Sequence, residues 1–89
     1  MTWFVYMVRC SDDSLYTGVA TDVERRVREH NGEYKNKGAK YTKGRCPVVL
    51  VYKKRKKNRS YAQIEESLLK QLTREQKLEL VVQKSKVIV

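Results

Sequence analysis

Residues 15–30 read "LYTGVATDVERRVREH", and the fold turns on where this β pattern gives way to a helical one. Leu15 to Ala20 alternate in the manner of a half-buried strand. The second half puts Val23, Val27 and His30 on one helical face, with Thr21 and Glu24 spaced as a capping box and Asn31-Gly32 as a stop signal. A strand that runs straight into a helix needs a partner. "TWFVYMVRC", residues 2–10, supplies one across the polar turn "SDDS", so residues 2–20 predict an antiparallel hairpin.

Working outward, "EYKNKGAKYTKGRCP", residues 33–47, holds two glycines, the only proline and no apolar period, and reads as a loop. "VVLVYK", residues 48–53, reads as a third strand, with the basic residues that follow carrying the chain out of it. Capping boxes at Ser60 with Gln63 and at Thr73 with Gln76 open two more helices, of about 12 and about 9 residues. The predicted order is β-β-α-β-α-α, an α/β chain of the α+β type: a small three-stranded antiparallel sheet flanked by three helices. At 89 residues the chain has room for one core, expected as a single domain over residues 1–83 with a short tail at 84–89.

Charge is concentrated. Lys and Arg total 20 against 10 Asp and Glu, a net charge of +10. Between Glu33 and Glu65 there is no acidic residue, and six of the seven residues from Lys53 to Arg59 are basic. Such a surface raises the local concentration of a polyanion, so nucleic acid, DNA above all, is the expected partner. Lys40, Lys43, Lys53, Lys54, Arg55, Lys56, Lys57 and Arg59 are the candidate phosphate contacts. The plainer reading of such a run is a solvated face that aids solubility.

Cys10 and Cys46 fit no metal or redox spacing and are expected as reduced thiols with no disulfide partner. No segment approaches the roughly 20 apolar residues of a membrane span, and no secretory leader opens the chain. The expected setting is the cytoplasm. Nothing in the sequence bears on oligomeric state.

Several polar groups nevertheless fall on faces that should be buried. His30 lies on the inner face of the first helix and Arg26 flanks it, while Arg25 and Arg28 point away. Strand alternation puts Phe4, Tyr6, Val8 and Cys10 on one face, and Tyr16, Gly18 and Ala20 on one face of the second strand. Singly, each has an ordinary explanation: a snorkelling or ion-paired arginine, a satisfied core histidine, a glycine at a bulge.

Together they resemble the signature of the GIY-YIG nuclease superfamily. "FVY" with Tyr6 stands for the first triplet, Phe4 taking the place of its glycine, and "YTG" with Tyr16 and Gly18 stands for the second. Arg26 follows ten residues after Tyr16, and His30 one turn later. "GAKYTKGRCPVVLVY" and "RSYAQIEESLLKQLTREQK" are similar to the small stand-alone bacterial branch, so the resemblance covers nearly the whole chain. It implies a divalent-metal-dependent phosphodiesterase on a helix-flanked three-stranded sheet. By the same resemblance Tyr6, Tyr16 or His30 activates water, Arg26 contacts the scissile phosphate, and Glu66 holds one Mg2+ or Mn2+ ion.

The chemistry asks for these residue types. Phosphodiester hydrolysis needs a water deprotonated, charge on the phosphoryl oxygens stabilised and a leaving alkoxide neutralised. Arg offers a planar fork that stays charged, and a single carboxylate suits Mg2+, which keeps several waters. A tyrosine with a pKa of about 10 is a poor base at neutral pH, and His is better matched, but the residues leave Tyr6, Tyr16 and His30 open. The carboxylate is open too. On the wheel Ile64, Leu68 and Leu72 centre the apolar face of the second helix near Glu65, with Glu66 at its edge beside Ala62 and Leu69; the resemblance selects Glu66. Two other readings stand beside the nuclease: a non-catalytic nucleic-acid-binding module that keeps the fold, and a small basic ribosome-associated protein. No recognition helix or zinc finger is present, so strong sequence readout is not expected.

Overall fold

The computed structural model describes residues 2–32 and 45–88, with side chains of the last helix described to residue 83. β1 (Trp3–Arg9) and β2 (Leu15–Ala20) form the expected antiparallel hairpin, with Tyr6 opposite Gly18 and Val8 opposite Tyr16. The turn between them is held by Asp12 Oδ1, which accepts from the Ser14 backbone and hydroxyl at 3.1 and 2.6 Å. Asp13 takes a φ of 68° there, a left-handed conformation that Asp tolerates better than most residues.

β3 (Val49–Lys56) pairs antiparallel with the other side of β1, giving the order β2-β1-β3. It continues past the expected end at Lys53, so Lys53, Lys54, Arg55 and Lys56 are strand residues and alternate between the two faces of the sheet. Register shifts between Met7, opposite Tyr52, and Val8, opposite Leu50, leaving Val51 as the extra residue of a bulge. Leu50 therefore packs on one face of the sheet while Val51 and Tyr52 both pack on the other.

Each face has its own cover. Tyr6, Val8 and Cys10 pack under α1 (Val23–His30) through Val23 and Val27. Val5, Met7 and Tyr52 pack under α2 (Arg59–Lys70) through Leu69 and under α3 (Arg74–Ile88) through Leu80 and Val81. The α+β architecture and the order β-β-α-β-α-α are as predicted.

Helix starts differ by a residue or two from the predicted boxes. Asp22, not Thr21, caps α1 by accepting from Arg25 N at 3.0 Å, and Asn58, not Ser60, caps α2 by accepting from Tyr61 N at 3.0 Å. In both, the last extended residue carries a short acceptor that reaches the first free backbone N–H groups. The Thr73–Gln76 box closes as expected, at 3.2 and 2.9 Å, and α3 runs on to Ile88. At the far end of α1, Asn31 and Gly32, with φ of 81°, stop the helix.

α2 turns a different face inward from the one its apolar residues define. Ala62 and Leu69 are buried, Glu65 and Glu66 are partly buried, and Ile64 and Leu68 are exposed. The small Ala62 lets the helix lie close against the sheet, and both carboxylates find a lysine: Lys54 at 3.2 Å from Glu65, and Lys70 at 3.4 Å from Glu66. Cys10 and Cys46 are not in a disulfide, and among the described residues no helix is long and apolar enough to cross a membrane. Most of the loop expected at 33–47, with Lys40 and Lys43, lies outside the described residues.

Candidate active site

Tyr6 is the centre of the site. Its side chain rises from the middle of β1 and leans across β2, where only a glycine leaves room: a Cβ at Gly18 would stand 2.7 Å from the Tyr6 hydroxyl oxygen and 2.9 Å from Cζ. The close approach that a glycine in a strand interior suggests is thus the ring of Tyr6 itself. From the opposite side α1 brings His30, whose Nε2 lies 2.8 Å from the Tyr6 oxygen. Tyr16 meets the same imidazole edge-on, with ring centroids 5.2 Å apart.

The end of α1 is fixed so that His30 cannot drift. Asn31 brackets Val48 through both backbone groups, accepting from Val48 N at 2.6 Å and donating to Val48 O at 3.1 Å. Cys46 Sγ donates to the His30 carbonyl at 2.9 Å. Neither contact was foreseen from the sequence, because both link residues far apart in the chain.

Arg26 also donates to the Tyr6 oxygen, and its Nη1 lies 3.0 Å from Glu29 Oε1. The same Glu29 carboxylate pairs with Arg25 at 3.4 Å. Glu29 was missed from the sequence; its only signal is a spacing of three and four residues from the two arginines, which reads equally as a surface pair.

The electrostatics follow from burial. Tyr6 is 1% exposed and His30 2%. Burial pushes the Tyr6 phenol above its ordinary range, assisted by the neighbouring Tyr16 and Glu66 and opposed by Arg26. Burial also lowers His30 to about 4, with the Arg26 charge adding to the effect and Glu29 opposing it. The imidazole is therefore neutral at pH 7, with one ring nitrogen a hydrogen-bond donor and the other an acceptor. Arg26 remains charged: burial works against it, but its bonds to Glu29 and Tyr6 hold the proton.

Three elements, β1, β2 and α1, thus bring together Tyr6, Tyr16, Gly18, Arg26 and His30, and Glu66 of α2 is near enough for its charge to act on the Tyr6 phenol. Glu65 acts on Tyr52 on the other side of α2, so the two adjacent glutamates serve opposite flanks of the helix. Glu66 fits a hydrated Mg2+ or Mn2+ ion: it offers one hard carboxylate whose partner, Lys70, is an exposed ion pair easily exchanged. It does not fit a closed nitrogen–sulfur site. A cavity of about 310 Å3 opens beside Arg26, lined by Trp3, Thr21, Asp22, Arg25 and Glu29 together with Val19 and Ala20 of β2.

The basic run is not drawn into this cluster. β3 lies across β1 from β2, while the Tyr6 hydroxyl points toward β2. Lys53 stands over the Phe4 ring and pairs with Glu24 at 3.2 Å, Lys54 pairs with Glu65 on the opposite face, and Arg59 lies over Trp3.

Comparison with known proteins bears on this geometry. The family model described as the GIY-YIG catalytic domain matches residues 2–79. A UPF0213 protein of Haloquadratum walsbyi is 56% identical over 77 residues, covering 86% of this chain and 83% of the relative. A UPF0213 protein of Clostridium perfringens is 48% identical over 82 residues, covering 92% and 85%. Among solved structures, the solution structure of a UPF0213 protein from Bacillus halodurans is 42% identical with a TM-score of 0.59, covering 94% of this chain and 86% of that one. A protein from E. faecalis is 33% identical with a TM-score of 0.60, covering 100% and 90%.

Proposed function

This chain belongs to the GIY-YIG catalytic-domain family, and on that footing we propose that it is an endonuclease hydrolysing phosphodiester bonds in DNA or structured nucleic acid, assisted by one divalent ion. The observation that carries this reading is the convergence on one buried phenol: His30 Nε2 at 2.8 Å from the Tyr6 oxygen, Arg26 donating to the same oxygen, and the Glu66 charge acting on it. A purely structural tyrosine needs one hydrogen bond; this one has a base and a cation.

Arg26 and Tyr16, both partly exposed, are the groups that meet substrate. Arg26 directs its fork at the phosphoryl oxygens, where developing charge is stabilised. Because Arg26 already donates to the Tyr6 oxygen, the phenolic proton is assigned to the His30 Nε2 direction, which makes Nε2 the acceptor and Nδ1 the protonated nitrogen. A proton taken from the attacking water by the Tyr6 oxygen passes on along that bond. Phosphate binding offsets the Arg26 charge that helps hold His30 low, so the imidazole becomes a stronger base when substrate arrives. Glu66 would hold Mg2+ or Mn2+, which when bound supplies Lewis-acid stabilisation of the phosphate. The basic run at Lys53, Lys54, Arg55, Lys56, Lys57 and Arg59 adds sequence-independent attraction for the backbone.

Cleavage of duplex, single-stranded and branched DNA and of structured RNA, with and without Mg2+, tests the reading. Glu66→Gln should lower cleavage by more than about 100-fold while fold and substrate binding persist. Glu65→Gln should cut normally. Normal cutting by Glu66→Gln would remove the single-carboxylate metal site. Salt-sensitive binding by the wild type with no cutting of any substrate would make the chain a non-catalytic binding module instead.

A further inference from the structure

Two cavities lie at the two ends of the edge strand β2. The first is the one beside Arg26, at Val19 and Ala20. The second, of about 130 Å3, lies at the opposite end, lined by Ser14 and Leu15 of the hairpin and by Arg74 and Lys77 of α3. It has two cations on one wall.

The local groups leave those cations available to a ligand. Among the described residues no carboxylate forms an ion pair with Arg74 or Lys77, and the nearby Asp12 is taken up by Arg45 at 3.0 Å. The Thr73–Gln76 capping box takes up the Thr73 and Gln76 backbone N–H groups, so an anion here would be held chiefly by the two side chains. An arginine fork beside a lysine point charge suits a phosphate oxygen pair, and the pocket has room for one such group.

Spacing links the two cavities. Leu15 and Ala20 are five steps apart on β2, or about 17 Å at about 3.3 Å per residue. A strand advances at least about 3.4 Å per nucleotide, the rise of a stacked helix, so no more than about five nucleotides cover that distance. We propose that Arg74 and Lys77 form a second phosphate-binding site, holding the same strand no more than about five nucleotides from the bond cut beside Arg26, with the backbone running along β2. The contact itself does not depend on hydrolysis; only the position of the cut rests on the nuclease reading.

Labelled oligonucleotides of about 3 to 12 nucleotides, bound without metal, supply the probe. The wild type should gain affinity about tenfold once the strand is long enough to reach both cavities, at a length of no more than about five nucleotides. Arg74→Gln combined with Lys77→Gln should abolish that step and reduce the slope of log affinity against log salt by about 0.7, the value for one lost phosphate contact on a single strand. The saturated Mg2+-dependent cleavage rate should not change, and neutralising Arg9 and Arg28, which line neither cavity, should leave the step in place. A double variant that keeps both the step and the slope overturns the proposal, as does one whose saturated rate falls. A wild type that shows the step but cuts nothing supports the phosphate site and overturns the nuclease reading alone. Absence of binding overturns both.

Discussion

Burial beside Arg26 holds the His30 imidazole at about 4 against an ordinary 6.5, so the native state prefers it neutral. Between those values the unfolded chain binds the proton and the folded chain does not. Stability from this group is therefore fully present above about 6.5, falls as pH drops through the window and levels out below about 4. The separation corresponds to about 3 kcal/mol. His30→Gln removes the titration while leaving the carboxylates common to both proteins, so wild type should lose about 3 kcal/mol more than the variant between pH 7 and pH 4 in urea unfolding. Parallel curves would mean that the folded imidazole titrates normally. Tyr6, Tyr16, Gly18, Arg26 and His30 were legible as a set because their spacing is a property of the chain. The reason for Gly18 was not: the clash it avoids is with a ring twelve residues away in sequence, across a strand pair.

At the scale of elements, α2 shows where periodicity misleads. Its apolar residues point to a face through Ile64 and Leu68, yet Leu69 is 4% exposed and Leu68 53%. Periodicity records which residues are apolar, whereas the orientation of a short helix depends on the surface it meets, here one that admits Ala62 closely and offers Lys54 to Glu65. Leu69→Ala should cost about 2–4 kcal/mol in denaturant unfolding and Leu68→Ala less than about 1 kcal/mol. Equal losses would restore the orientation expected from the wheel. β3 gives the companion case, since the bulge at Val51 reverses the alternation that "VVLVYK" predicts, and nothing in those six residues marks it.

For the whole molecule, the charge excess of +10 and the site geometry are separate features. Lys53 to Lys56 of the basic run lie on the strand farthest from the Tyr6 hydroxyl, are divided between two faces and are partly neutralised by Glu24 and Glu65. Its expected contribution is long-range attraction of a polyanion rather than contact with the reacting phosphate. Reversing Arg55, Lys56, Lys57 and Arg59 should lower kcat/KM at least about tenfold at low salt, with kcat unchanged and the difference shrinking as salt is added. A fall in kcat of the same size would put the run at the reacting centre.

The sequence by itself determined the order of elements, the hairpin, the polar residues that occupy inner faces and the basic balance, because composition, strand and helix periods and motif spacing are all local or linear properties. Tertiary structure alone decided which glutamate approaches Tyr6, that Glu29 gathers Arg25 and Arg26, that Asn31 clamps Val48, and that the two cavities share β2. Each of these is a relation between elements whose relative rotation follows from packing, and packing depends on the volumes and charges of residues that are remote in the chain.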